Sequence, residues 1–479
     1  MAKGTVRTSS SNLESNATPM RDVICRTVLL TTIFTIPLQQ LLYLSVAGIT
    51  VKTYQVLLAV LGVLSFFQVR ESQALSEWQK IGLAFFLVSV SAELAGYIEL
   101  RNFGSLPELK YIGSVETHRF TLNLYLLLNM LFAWQVVRFI TEVPEGLRTI
   151  LTTAALGSLL PSLYALYQLF SFVFGFEIEA LEFGRIIDRP EAPRGIFFDS
   201  GTVRFASTYF EPGPFGGYLS IIIPLTVLAI KQWQSDAKEH LAIKWVLKAI
   251  LLLNIVALLL SFSTSALVGM MLFALIVTGL TYPLGKVLKG VATALLAVAA
   301  MVTLLGQWEF VLNTVDVAFL RKLFAEETDV YAISRIARIH QAEVGLKIFL
   351  DHPIVGIGPF VPFFFEVYEP STDGMPQAVS IVYVNVLTQT GLVGGALFFY
   401  AIGKLMIKLV RAVRLSNRIV KANSAVLLGL FAAVLTLFFT LGSLVAVHLW
   451  LAVGVIVGWL MLHDIASSAT SEETLTDAE

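Results

Sequence analysis

RFASTYFEPGPFGGYLSIIIPLTVLAIKQ, residues 204–232, reads as a polar approach followed by a membrane span. No side chain between Glu211 and Lys231 is charged, and the run from Phe215 to Ile230 is apolar or small. About 20 such residues in a helix match a hydrocarbon core of about 30 Å. Pro212, Gly213 and Pro214 stand where the helix would begin, a place where proline's missing N–H is tolerated. Pro224 sits inside the run as a kink of the kind that helices in lipid accept. The reading is a helix over 206–230, approached by a loop that carries Arg204 and Glu211.

The same pattern recurs along the chain. Of 479 residues, 56% are hydrophobic and 14% charged, and the mean hydropathy is +0.77. A soluble domain carries about 25% charged residues, so this composition excludes a water-soluble protein of this size. Alternation of the β-barrel kind is absent. An all-α polytopic membrane protein of about 12 transmembrane helices is expected, with spans at roughly 27–48, 53–69, 80–99, 120–140, 149–175, 206–230, 244–262, 265–283, 287–307, 379–408, 423–442 and 444–463. The stretch at Ser261–Ser265 reads as a tight hairpin or as one long helix; about 38 residues is too long for a single span. The organisation that follows is a tail over 1–26, nine spans over 27–307, a large polar loop over 308–378, three spans over 379–463 and an acidic tail over 464–479. Two shorter polar loops fall at 100–119 and 176–205.

Lys and Arg set the orientation. With both termini cytoplasmic, twenty of the 33 fall inside, with the densest run from Lys404 to Lys421. The loops 100–119, 176–205 and 308–378 are then external. Residues 1–20 are polar and lack the apolar core of a cleavable signal. Cys25 is the single cysteine, so no intrachain disulfide forms.

The external loops hold clustered arginines: Arg185, Arg189, Arg194 and Arg204, then Arg321, Arg335 and Arg338. Carboxylates accompany them, among them Asp188, Glu191, Asp199, Glu211, Glu326 and Glu327. Surface ion pairing is one account of such a set. Arg204 and Glu211 carry a stronger one, because charged groups at a membrane boundary are expensive unless used. The Pro-Gly-Pro element is expected to open a helix whose positive end favours anions such as phosphates. In the large loop, Arg335–Leu350 interleaves Ile336, Ile339, Val344, Leu346 and Ile348 with polar residues, as an interfacial amphipathic helix does. Asp351-His352-Pro353 ends it, and Gly356 and Gly358 form a turn. Glu93 and His448 lie near membrane depth. There is no Walker A loop, no His-Glu-x-x-His element, no Cys/His metal cluster, no Rossmann glycine fingerprint and no Asp-x-Asp pair in the external loops. An ATPase, a zinc protease or a metal-dependent sugar-nucleotide enzyme is not indicated, and no metal or other cofactor is expected.

Three segments taken in order resemble the O-antigen polymerase and ligase superfamily. RFASTYFEPGPFGGYLSIIIPL is similar to its Arg-led helix start, and SFSTSALVGM to its Ser-rich junction. SRIARIHQAEVGLKIFLDHPIVGIGPF and VYVNVLTQTGLVGGALFF are similar to its large periplasmic loop and the helix that follows. The resemblance covers roughly residues 195–400. It implies a GT-C-like membrane fold in the bacterial inner membrane. It also implies transfer of a glycan from an undecaprenyl-pyrophosphate donor to an acceptor hydroxyl at the periplasmic face, with no nucleotide sugar and no essential metal. A chain-length regulator is a further possible partner; nucleic acid is not. Ligases of this kind carry an Arg after the Ser of the second motif, where this chain has Thr264, and a His where it has Ser380. Both departures favour a polymerase over a ligase. A transporter or flippase of an anionic lipid or solute would place charges deep in the spans, where few occur.

A pyrophosphate leaving group develops negative charge, and Arg binds phosphate oxygens bidentately without losing its proton. The expected catalytic residues are therefore Arg204 and Arg335 for that charge and Glu211 as base toward the acceptor hydroxyl. Arg194, Arg338, His340 and His352 are expected to bind substrate, and no residue is assigned to a metal.

Overall fold

The computed structural model describes residues 20–38, 43–46, 49–69, 76–102, 115, 121–175, 196–199, 202–209, 211–233, 240–281, 330–370, 378–414, 417–442 and 444–476. Its helices are α1 (Met20–Thr35), α2 (Thr53–Val69), α3 (Glu77–Asn102), α4 (Thr121–Glu142), α5 (Gly146–Gly157), α6 (Leu159–Phe174) and α7 (Pro212–Gln232). They continue with α8 (Leu241–Ser261), α9 (Thr264–Thr281), α10 (Val330–Asp351), α11 (Val361–Tyr368), α12 (Val382–Val413), α13 (Arg418–Leu437) and α14 (Val447–Thr476). The strands among the described residues form two small antiparallel hairpins, β1 (Tyr43–Val46) with β2 (Ile49–Lys52) and β3 (Ile196–Asp199) with β4 (Thr202–Phe205). Among the described residues, nine segments are long and apolar enough to cross a membrane, with α5 and α6 counting as one. The protein is an all-α, multi-pass membrane protein.

The helix expected over 27–48 differs in extent. It runs Met20–Thr35 and stops before Pro37, and the β-branched residues beyond it go into the first hairpin. The span expected over 287–307 lies outside the described residues. Ser261–Ser265 resolves into two helices: Phe262 takes a left-handed conformation (φ 45°) and α9 starts at Thr264. They do not pack as a close pair, because α7 contacts each of them more extensively than they contact one another.

Helix α7 is the centre of the bundle. It is apolar around its whole circumference, the pattern of a helix with no solvent or lipid face, and Phe215, Leu219, Ile221, Leu225 and Leu228 are fully buried. Outer helices such as α8 and α9 instead expose Leu252, Trp245 and Leu275. Small polar clusters join helices inside the bundle. Asn254 accepts from the Ser162 hydroxyl and donates to Ser158 Oγ, and Gln135 donates to Ser65 Oγ. Such bonds hold helices together where water is absent.

The two ends of the bundle differ. At one, Lys408 pairs with Asp464 at 2.7 Å, Lys404 with Glu77, and Arg148 stacks on Trp233. These residues belong to the basic loops, which gather at this end. Both hairpins, the α8–α9 junction and the clasp formed by α10 and α11 lie at the other.

Non-helical backbone at that second end is locked by close contact. Gly358 has φ +65°, and a Cβ there would lie 2.5 Å from Glu93 Cα; Gly391 (φ +60°, ψ −162°) breaks α12 against the carbonyl of Ile354. Gly358→Ala combines left-handed strain of about 1 kcal/mol or more with a backbone clash. It is expected to lower the thermal unfolding midpoint in detergent by several degrees. Gly403→Ala, in open space on α12, should leave the midpoint unchanged or slightly raised.

Candidate functional site

The segment that precedes α7 is pinned at three places. Ser207 is held in a left-handed conformation (φ 54°). Its N–H donates to Gln168 Oε1 at 3.0 Å, and its hydroxyl donates to the Pro161 carbonyl. Thr208 donates to the Pro37 carbonyl. These bonds run to the carbonyls of Pro161 in α6 and Pro37 after α1, so the turn finds its partners in the protein rather than in water. The result fixes where the strand before it and the helix after it must lie.

Arg204 stands on β4 opposite Phe197. It is half-buried, and its Nε donates to the carbonyl of Ser261, the last residue of α8, at 3.4 Å. A cation at a helix C-terminus meets the negative end of the dipole. Arg204 thereby ties the first motif to the Ser-rich junction. Gly216 makes the complementary contact from α7, where a Cβ would fall 2.5 Å from Ser263 Cβ.

Glu211 is the N-cap residue of α7, with extended backbone (φ −138°, ψ 152°), but its side chain makes no capping bond and is exposed. The positive end of α7 differs from the expectation. Pro212 and Pro214 have no N–H, and the N–H of Phe215 is directed to the Glu211 carbonyl at 3.4 Å. Gly213 is thus the only N–H donor among the first three helical positions. The helix offers its dipole but not the fork of N–H groups that cradles a phosphate.

Positive charge comes instead from α10. Arg338 is half-buried and lies within electrostatic reach of Glu211. Desolvation pushes the guanidinium below its ordinary pKa, and the Glu211 carboxylate opposes that shift. An arginine keeps its proton through such a change, so the site holds a partly desolvated cation beside an exposed carboxylate. Arg335 lies one turn earlier in α10.

The two histidines sit farther along this clasp. His352 bridges α10 and α3: Nδ1 meets the Ile348 carbonyl at 2.9 Å and Nε2 meets Glu99 Oε1 at 2.6 Å. A carbonyl and a carboxylate both accept, so the pair is complete when both ring nitrogens carry hydrogen or when Glu99 holds the proton. Tyr368 donates to the Asp351 carboxylate, closing α11 onto the end of α10. His340 pairs with Glu369 at 2.9 Å, with both side chains partly exposed. Both histidines are thus engaged by carboxylates. Helix α10 buries Val344 and Ile348 toward the bundle and exposes Ile339, Leu346 and Leu350. Its apolar residues therefore serve two faces rather than one.

Of the residues singled out in the sequence, Arg338 lies within electrostatic reach of Glu211, and Arg204 stands on the strand that precedes α7. Arg194, Arg185, Arg189 and Arg321 lie outside the described residues. Glu93 is fully buried in α3 and accepts from the Asn123 amide, which is itself paired with the Ser89 hydroxyl. Glu99, Glu369 and Tyr368 carry roles that sequence reading missed. The sequence offers no signal for Glu99, since it precedes His352 by 253 positions. No group of three or more His, Cys, Asp or Glu side chains able to hold a metal ion occurs among the described residues.

Residues 249–399 match the family model described as O-antigen ligase. No curated protein matches the chain. The matched segment begins in α8, takes in the Ser-rich junction, α9, α10 and α11, and ends midway along α12. Arg335, Arg338, His340 and His352 lie within it, and Arg204 and Glu211 lie before it.

If the His352–Glu99 pair closes the clasp, His352→Ala, Glu99→Ala and the double variant should show a coupling of about 1 kcal/mol in unfolding free energy, the scale of a partly exposed charged hydrogen bond. Additive losses would mean that the contact does not stabilise the clasp.

Proposed function

We propose, from the place of this chain in the O-antigen polymerase and ligase superfamily, that it polymerises oligosaccharide repeat units carried on undecaprenyl pyrophosphate. The product is O-antigen or exopolysaccharide, formed at the periplasmic face of the bacterial inner membrane with both termini cytoplasmic. The observation that carries this reading is the match of residues 249–399, which contains Arg338, a half-buried cation within electrostatic reach of Glu211 at the start of α7.

The reaction breaks the bond between the anomeric carbon of the donor glycan and its pyrophosphate oxygen, and forms a bond from that carbon to an acceptor hydroxyl oxygen. The acceptor's proton goes to Glu211, and the departing pyrophosphate leaves with the electron pair of the broken bond. Its growing charge is met by Arg338, with Arg335 and Arg204 as further cations and Arg194, His340 and His352 as substrate-binding groups. A desolvated guanidinium aimed at developing charge supplies a few kcal/mol, about 10²–10³-fold in rate. No step in this scheme calls for a metal ion.

Ser380 favours polymerase over ligase. It occupies the position where ligases of the resemblance carry a histidine, and its hydroxyl donates to Gln341 on α10. That position therefore faces the clasp, and a serine there cannot act as a base near neutral pH.

Arg338→Ala and Glu211→Gln are each expected to reduce chain extension by about 10²-fold or more with membrane levels of the protein unchanged. Size-resolved profiles of lipid-linked and surface glycan in a complemented deletion strain read this out. Single repeat units left on lipid would support polymerisation. Long chains retained on undecaprenyl pyrophosphate would point to ligation, and an unchanged profile would overturn both.

Orientation has its own test, because Cys25 is the single cysteine. In a Cys25→Ser background, Glu369→Cys should react with an impermeant maleimide in cells whose outer membrane alone is opened. Asn417→Cys should react only after the inner membrane is permeabilised. The reverse pattern would invert the topology.

A further inference from the structure

Beneath the Glu211 site lies a group of buried polar atoms that neither the family match nor the proposed mechanism uses. His448, in the first turn of α14, is 3% exposed, and neither ring nitrogen has a hydrogen-bond partner among the described residues. The hydroxyl of Tyr209, on a residue 1% exposed and two positions before Glu211, is likewise unpartnered among the described residues. Both flank Tyr218. The Tyr218 ring stands edge-on to His448 at 6.2 Å and lies 5.6 Å from the ring of Tyr209. Asn129 adds a buried Oδ1 with no partner among the described residues, while its amide donates to the Val445 carbonyl, three residues before His448. Tyr54, at the start of α2, lies within electrostatic reach of Tyr209, and Tyr125 within reach of Tyr54. These two outer tyrosines are only half-buried.

Buried polar groups in native proteins are almost always hydrogen-bonded. Several unpaired atoms around one aromatic ring, at the water-facing end of a bundle, point to a missing partner. Its chemistry is set by what surrounds it. A neutral imidazole offers one donor and one acceptor, a phenol offers both, and an amide oxygen accepts. None of these six side chains carries a full charge, so a phosphate is poorly matched here, in contrast to Arg338. The complement is a neutral hydroxyl.

We infer that Tyr209, Tyr218 and His448 form the floor of a hydroxyl-binding pocket. Its guest is either ordered water or a hydroxyl of the acceptor sugar. The second source rests on the glycan-transfer reading above; the first does not. In both cases His448 is a positioning residue rather than a catalytic one.

The sign of a stability change tests the pocket without any activity. Removing one member of a satisfied network strands the others, whereas removing a group that was never paired relieves a penalty. His448→Phe, His448→Gln and Tyr209→Phe would be compared with wild type by thermal unfolding in lipid nanodiscs. A filled pocket predicts a lower midpoint for His448→Phe and Tyr209→Phe, with His448→Gln near wild type. It also predicts ordered density touching His448 and Tyr209 in a high-resolution map of the wild-type protein. Equal or higher midpoints for both Phe variants, with no density, would overturn the pocket. Where His448→Phe does not yield folded protein, Tyr209→Phe and the density carry the test.

Extension assays with lipid-linked repeat units extracted from the deletion strain separate the two sources. A several-fold rise in acceptor KM at unchanged kcat for His448→Phe, restored by His448→Gln, assigns the pocket to a sugar hydroxyl. An unchanged KM with a lowered midpoint assigns it to water. If the wild-type protein extends nothing, the glycan-transfer reading fails, while the midpoints and the density still decide whether the pocket is filled.

Discussion

Irregular backbone cannot lie among apolar helices unless the protein itself supplies its hydrogen-bond partners. This constraint shapes the end of the bundle where the candidate site lies. The approach to α7 gives Ser207 to the Pro161 carbonyl, Thr208 to the Pro37 carbonyl and Arg204 to the Ser261 carbonyl. The turn after α10 sends the Ile357 N–H to Thr388 and receives the Leu392 N–H at Pro353. Each bond gives the irregular backbone a partner within the protein, and each ties it to a distant part of the chain. Precise placement of Glu211 and Arg338 is a consequence of meeting that requirement.

The glycines of this end follow from the same demand. Gly96 and Gly358 (positive φ) let the turn meet α3 at Ile357 and Glu93, and Gly356 and Gly391 adopt positive φ where it crosses α12. The turn can then sit on the helices without a gap. A rigid base beneath α10 matters electrostatically, because a guanidinium and a carboxylate pre-set in position need no reorganisation as charge develops between them.

Nine of the twelve expected spans coincide with segments among the described residues that are long and apolar enough to cross a membrane, because long uncharged runs such as Phe215–Ile230 have no other stable home. Their ends were less legible in the sequence. The helix expected over 27–48 gives way to a hairpin, since Pro37 and a β-branched stretch outweigh raw hydropathy, which does not distinguish strand from helix over a few residues. Arg204 and Glu211 were legible as charges at a membrane boundary. The surroundings of each were not: Arg204 reaches the Ser261 carbonyl and Glu211 lies within electrostatic reach of Arg338, both from distant parts of the chain. The Pro-Gly-Pro element opens the helix as its sequence suggests, but two of its three residues have no N–H to offer an anion. His352 was visible and Glu99 was not, because a lone glutamate at a helix end looks like ordinary solvation until the turn folds back on it.

The boundary of the family match makes a mechanistic point. It begins at residue 249, after Glu211 and Arg204, and includes Arg338. A site built only from the matched segment would have cations and histidines but not the carboxylate of α7. A site built only from the preceding segment would have a carboxylate and a helix start stripped of most of its N–H donors. The two halves compensate for one another. Proline in the first turn of α7 shapes the approach and removes anion-binding groups, and α10 returns positive charge to the same place as a guanidinium. An N–H fork is fixed to its helix and binds whatever anion arrives. A guanidinium carried on α10, which His352–Glu99 and Tyr368–Asp351 tie to α3 and α11, supplies that charge in the planar, bidentate form that suits a phosphate.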